Sequence, residues 1–150
     1  MRNARSRNVL KPLSLLLLRL GTGLLLILWG SLRLMMPEAG PGLADTYYGG
    51  FASATSVQMA YGGLEVALGL CVCLGLFRRI AYPAQAILLV LAMLAIGRYL
   101  LDPFGIWLLD PKDSQILFFP SITLAAASIV LVAFRDCDRY ALDEKIRRSV

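Results

Sequence analysis

Leu13-Ser-Leu-Leu-Leu-Leu-Arg19-Leu-Gly-Thr-Gly-Leu-Leu-Leu-Ile-Leu-Trp29-Gly-Ser-Leu-Arg33-Leu-Met-Met36 is one apolar run broken by two charges, Arg19 and Arg33. A helix needs about 20 mostly apolar residues to cross a bilayer, and this run exceeds that. Arg2, Arg5, Arg7 and Lys11 precede it, as in a secretory leader. The apolar stretch is longer than the 7–15 residues of a cleavable leader, so the reading is an uncleaved anchor.

Three more runs follow: about 57–77, 80–101 and 116–134. Each is continuous and too long for a buried strand, so each reads as helix. An open sheet would leave backbone groups unpaired in lipid. Composition agrees: 58% of the 150 residues are apolar and 17% charged, against about 45–50% and 25% in soluble domains. The expectation is an all-α membrane protein, a four-transmembrane-helix bundle spanning 1–150 as a single domain, with a tail at 135–150. Histidine is absent, which excludes histidine-ligated haem or zinc and histidine-based catalysis in this chain. No catalytic and no metal residues are expected.

Lys and Arg counts in short loops set orientation. The N-terminal tail, the turn with Arg78 and Arg79, and the tail with Arg135, Arg139, Lys145, Arg147 and Arg148 fall on one side. The opposite loops hold Lys112 beside Glu38, Asp45, Asp102, Asp110 and Asp113. Both termini are therefore expected in the cytoplasm (N-in/C-in), in a bacterial-type inner membrane. The net charge of +5 is a topology signal and implies no nucleic acid, because there is no soluble basic domain. The tail, about 135–150, reads as a solvated topology signal; the alternative is an amphipathic helix on the inner leaflet whose five basic residues bind anionic lipid or a cytoplasmic protein.

Charges inside a bilayer cost at least roughly 2.5–3.5 kcal/mol on insertion scales, so they face the bundle interior and pair. Arg33, Glu65 and Arg98 fall in the same outer half of the membrane, with Glu65 roughly 12 Å deep at 1.5 Å per residue. They are expected to converge on an outward-facing polar site with Gln58, Tyr61 and Tyr99. That site suits an anionic or quinone-like headgroup, or a proton-handling carboxylate. The alternative is a buried ion pair that fixes helix register. Arg19 is read as an intramembrane charge that snorkels inward or bonds a carbonyl of a neighbouring helix.

Gly63, Ala67, Cys71 and Gly75 form a stripe of small residues at steps of four, expected to let helices approach closely. Pro120 is expected to bend the fourth helix from within. Trp29, Trp107 and Tyr99, and on the other side Tyr82 and Tyr140, read as aromatic belts. Cys71 and Cys73 point about 160° apart on a helix and cannot bridge. With Cys137 they read as packing residues and a free thiol.

Leu17-Leu18-Arg19-Leu20-Gly21, Trp29-Gly30-Ser31-Leu32-Arg33, Gly63-Leu64-Glu65-Val66-Ala67-Leu68-Gly69 and Leu74-Gly75-Leu76-Phe77-Arg78-Arg79 occur in order. The tail adds Arg139-Tyr140-Ala141-Leu142-Asp143. Together they resemble the DoxX family of small four-helix membrane proteins. Here Asp136 and Asp138 stand where the family often has glycine, and Ala141 where it has serine. The resemblance implies a role beside quinone-coupled or thiol-linked oxidoreductases, or in assembly of such enzymes.

Two functions follow as expectations. One is a non-catalytic membrane subunit or anchor that binds quinone or lipid headgroups and recruits an oxidoreductase partner. The other is a structural, assembly or chaperone-type membrane protein without a small-molecule site. No cofactor is carried by the chain's own residues, with quinone the one the polar site would take. A homo-oligomer is compatible with either. A transporter is disfavoured because broken-helix pairs are absent, and an enzyme acting alone lacks a nucleophile–base pair.

Overall fold

The computed structural model describes the backbone of residues 2–149 and the side chains of residues 9–147. Seven α-helices are present among the described residues: α1 (Arg2–Met35), α2 (Ala39–Tyr47), α3 (Thr55–Leu74), α4 (Arg78–Ala95), α5 (Gly97–Leu101), α6 (Pro120–Ala133) and α7 (Leu142–Ser149). No strand occurs among those residues. Four helical stretches are long and apolar enough to cross a membrane: Val9–Met35, Thr55–Leu74, Arg78–Ala95 and Ile116–Ala133. Leu17, Leu28, Leu64, Leu91 and Leu94 stand on their outer faces, each at least 60% exposed. Such a girdle needs lipid to cover it.

The four long helices pack as a ring, α1 on α3, α3 on α4, α4 on α6 and α6 on α1. The closest approach is between α1 and α3, which run antiparallel. Gly23 opposes Gly69 and Gly30 opposes Gly62. A Cβ on Gly69 would lie 2.7 Å from the Gly23 carbonyl oxygen, and one on Gly62 2.8 Å from that of Gly30. Both helices thus place glycines seven residues apart on one seam, close enough for backbone to touch backbone. The expected stripe of Gly63, Ala67, Cys71 and Gly75 is not this seam. Gly63 has nothing within 4 Å of its missing Cβ. A step of four drifts around the helix, whereas a step of seven stays on one face. Beside the seam, Leu15, Val72, Ala81, Tyr82 and Leu131 form the buried core.

α3 ends in a Schellman closure. Gly75 takes φ +68°, its N–H donates to the Val72 carbonyl, and the Leu76 N–H donates to that of Cys71. The chain then reverses through Phe77 into α4.

Several boundaries differ from the sequence reading. α4 stops at Ala95, and Ile96 breaks the run that was expected to reach Leu101. Pro120 begins α6 instead of bending it, following a 3-10 turn at Ile116–Phe118. The proline ring needs no N–H partner in a first turn. The first loop contains α2, because Pro41 falls in a first turn where it costs nothing and Ala44 and Gly40 are buried. Tyr82 is fully buried and Tyr99 4% exposed, so neither belongs to an aromatic belt; Trp29, Trp107 and Tyr140 are exposed.

Candidate functional site

Arg33 lies in the last turn of α1, and Glu65 and Gln58 lie on the face of α3 that looks at it. The Arg33 Nη1 donates to Glu65 Oε2 at 2.6 Å. Its Nε donates to Gln58 Oε1 at 3.0 Å, and Nη1 also reaches the Trp29 carbonyl at 3.3 Å. The guanidinium carbon sits 4.9 Å from the centre of the Tyr61 ring and 5.8 Å from that of Trp29. A charge-assisted pair flanked by aromatic faces is among the strongest polar arrangements available away from water. Arg33, Glu65 and Gln58 are all buried.

Gln58 has two tasks. Its Nε2 donates to the Ala52 carbonyl at 2.9 Å, which ties the loop ahead of α3 to the site. Gly40 of α2 rests on the Gln58 side chain, where a Cβ would come within 2.8 Å. α2 therefore covers the ion pair, and a side chain at residue 40 would push that cover away.

Of the six residues expected at one site, Arg33, Glu65, Gln58 and Tyr61 come together. Arg98 and Tyr99 form a separate group. Arg98 is exposed, its Nη2 donates to the Tyr99 hydroxyl at 2.7 Å, and its guanidinium lies over that ring at 4.7 Å. It has no carboxylate partner among the described residues. Tyr99 packs edge-on against Tyr47 of α2 and Phe118, with ring centres 5.6 and 5.4 Å away. The break at Ile96 sets Arg98 on α5 and outside α4, and no change of composition marks that break.

A second polar cluster lies at the opposite end of the bundle. Arg19 Nη1 donates to Asp138 Oδ2 at 3.0 Å, and the Tyr82 hydroxyl donates to the same oxygen at 2.6 Å. Both charged side chains are at most 3% exposed. Arg19 also bonds the Tyr140 carbonyl at 3.4 Å. It does not snorkel; the chain after α6 brings it a counter-charge. Asp143 holds that segment down by accepting the Phe77 and Arg78 N–H groups at 3.1 and 2.9 Å, capping α4. Asp138, Ala141 and Asp143 thus tie the segment after α6 to the end of the bundle, while most of its other side chains up to residue 147 stay exposed. The signal was present as an unexplained intramembrane arginine and an Asp-Cys-Asp stretch, but nothing in the sequence joined them.

Beyond α5, Asp102 is 1% exposed. Its carboxylate accepts four consecutive N–H groups, from Ile106, Trp107, Leu108 and Leu109, at 2.7–3.0 Å. Burial pushes this carboxyl up, and the four donors outweigh it and hold it well below the usual carboxylate range. The residue organises the 102–115 loop.

Cys71, Cys73 and Cys137 are free thiols. Cys73 faces the seam, its sulfur 3.9 Å from the Leu20 carbonyl. No group of three or more Cys, Asp or Glu able to hold a metal ion gathers among the described residues. Comparison with protein-family models, with curated proteins and with solved structures finds no match.

Proposed function

We propose that this chain is a non-catalytic, DoxX-like subunit or anchor of a redox assembly in a bacterial-type cytoplasmic membrane, with both termini on the cytoplasmic side. It recruits a quinone- or thiol-linked oxidoreductase and offers the Arg33–Glu65 site, facing outward under α2, to a quinone or similar headgroup. The observation that carries this reading is the Arg33–Glu65 pair itself. Two charges are kept in an apolar bundle beneath a short helix, flanked by the aromatic rings of Tyr61 and Trp29. Charges held at membrane depth mark ligand or proton sites by default. A quinone carbonyl would take the Arg33 N–H that Gln58 now accepts, and the rings would flank its headgroup. The carboxylate would keep the arginine in place.

Native mass spectrometry of the protein gently extracted from its own membrane tests the reading. A stoichiometric quinone or a co-purifying oxidoreductase supports it. A bare monomer or homo-oligomer with bulk lipid alone overturns it.

The second reading is a structural or assembly protein without a small-molecule site. Its support is the completeness of the ion pair: Glu65, Gln58 and the Trp29 carbonyl already satisfy Arg33. On that reading the pair fixes the register of α1 on α3, and its loss lowers stability alone.

A further inference from the structure

At the Arg19 end of the bundle, the start of α4, the turn after α6 and α7 enclose an open cleft of about 530 Å³. Arg78, Arg79, Arg135 and Arg147 line it, with Asp136, Asp143 and Glu144. The acids do not neutralise the arginines evenly. Asp143 accepts the Phe77 and Arg78 backbone N–H groups and stands 3.7 Å from the Arg78 Nε. Glu144 pairs with Arg78 at 3.2 Å and Arg147 at 3.1 Å. Asp136 stands 3.6 Å from Arg135 with its own side chain 94% exposed, and a solvated contact of that length holds little. Arg79 is exposed and has no carboxylate partner among the described residues. Arg79 and Arg135 are thus the cations least engaged by carboxylates, with the remaining nitrogens of the exposed Arg147 beside them.

The same cleft has an apolar wall. Phe77 and Ile80 line it and are 66% and 72% exposed. Ile80 lies in the first turn, and Phe77 just before the start, of a helix long and apolar enough to cross a membrane. A water-borne anion needs only the arginines. A phospholipid needs both walls, phosphate on the cations and chain along the apolar residues.

We propose that this cleft binds the phosphate of an anionic phospholipid, held by Arg79 and Arg135, with an acyl chain laid over Phe77 and Ile80. The site is independent of the Arg33–Glu65 pair at the other end. It lies against the closure formed by residues 135–147, so a bound lipid would brace that closure against α4.

The test is native mass spectrometry of the full chain in neutral detergent, titrated with phosphatidylglycerol and, separately, phosphatidylcholine. Phosphatidylglycerol is expected to be retained at least tenfold better. The double variant Arg79→Gln/Arg135→Gln, checked for an unchanged melting temperature, is expected to weaken it roughly thirtyfold, at about 1 kcal/mol per basic residue. Ile80→Ser is expected to weaken it several-fold with no change of charge. Equal retention of the two lipids, or unchanged phosphatidylglycerol retention in the double variant, overturns the proposal. Displacement of the lipid by millimolar inorganic phosphate also overturns it, in favour of a free-anion site.

Discussion

Gly30 of α1 and Gly62 of α3 meet backbone to backbone. A methyl group on Gly30 would collide with the Gly62 carbonyl oxygen, and one on Gly62 would lie 2.8 Å from that of Gly30. The contact fixes how closely the two helices cross, and with it the reach of Arg33 to Glu65, which lie one turn from it on opposite sides because the helices are antiparallel.

Gly30→Ala is therefore expected to destabilise the bundle, by the 1–3 kcal/mol typical of overpacking. The obstacle is backbone and cannot rotate away. Gly63→Ala is its control, since nothing lies within 4 Å of that position. Thermal melts of the two variants in the same detergent check the pair: Gly30→Ala melts lower, while Gly63→Ala does not.

The helical content and the number of spans were legible because an apolar run of that length has few other solutions. The convergence of Arg33, Glu65, Gln58 and Tyr61 followed from burial of charge and a shared depth. The seam did not follow, because two glycine spacings compete in α3 and only the partner helix decides between them. Arg98 falls on α5, bonded to the Tyr99 hydroxyl, because Ile96 breaks a run whose composition never changes. The Arg19–Asp138 pair was hidden because it depends on the chain after α6 folding back, which charge counting reads as solvated.

Removing one partner of that second pair leaves a buried, uncompensated charge, a change worth about 3–5 kcal/mol. Asp138→Asn is expected to lower the melting temperature strongly and to expose residues 135–147 to protease. Arg19→Met/Asp138→Leu is expected to recover much of the loss, because it removes both charges together. Proteolysis and melting of the two variants, side by side, measure this.

Asp102 gives a pH dependence of known sign. Its folded carboxyl titrates below its unfolded value of about 4. Its contribution is therefore complete above pH about 4 and is lost as pH falls below that, towards the lowered folded value. The protection of the Ile106–Leu109 amides, relative to their intrinsic exchange rates, is expected to be high at pH 6 and to fall on strong acidification. Asp102→Asn is expected to make these amides exchange fast already at pH 6.

Arg98 touches Tyr99 and stands exposed. Arg98→Gln is expected to leave both the melting temperature and any ligand retained at the Arg33–Glu65 site unchanged. Weakened ligand retention in that variant would restore Arg98 to the site.

The most direct measurement uses Arg33→Gln/Glu65→Gln, which removes both charges and leaves neither unpaired. Native mass spectrometry and a thermal melt are run on it and on the unaltered chain, each supplied with a ubiquinone analogue. The account predicts a melting temperature close to that of the unaltered chain and loss of the bound quinone. A folded double variant that holds quinone as well as the unaltered chain would contradict it and leave the pair as a packing device.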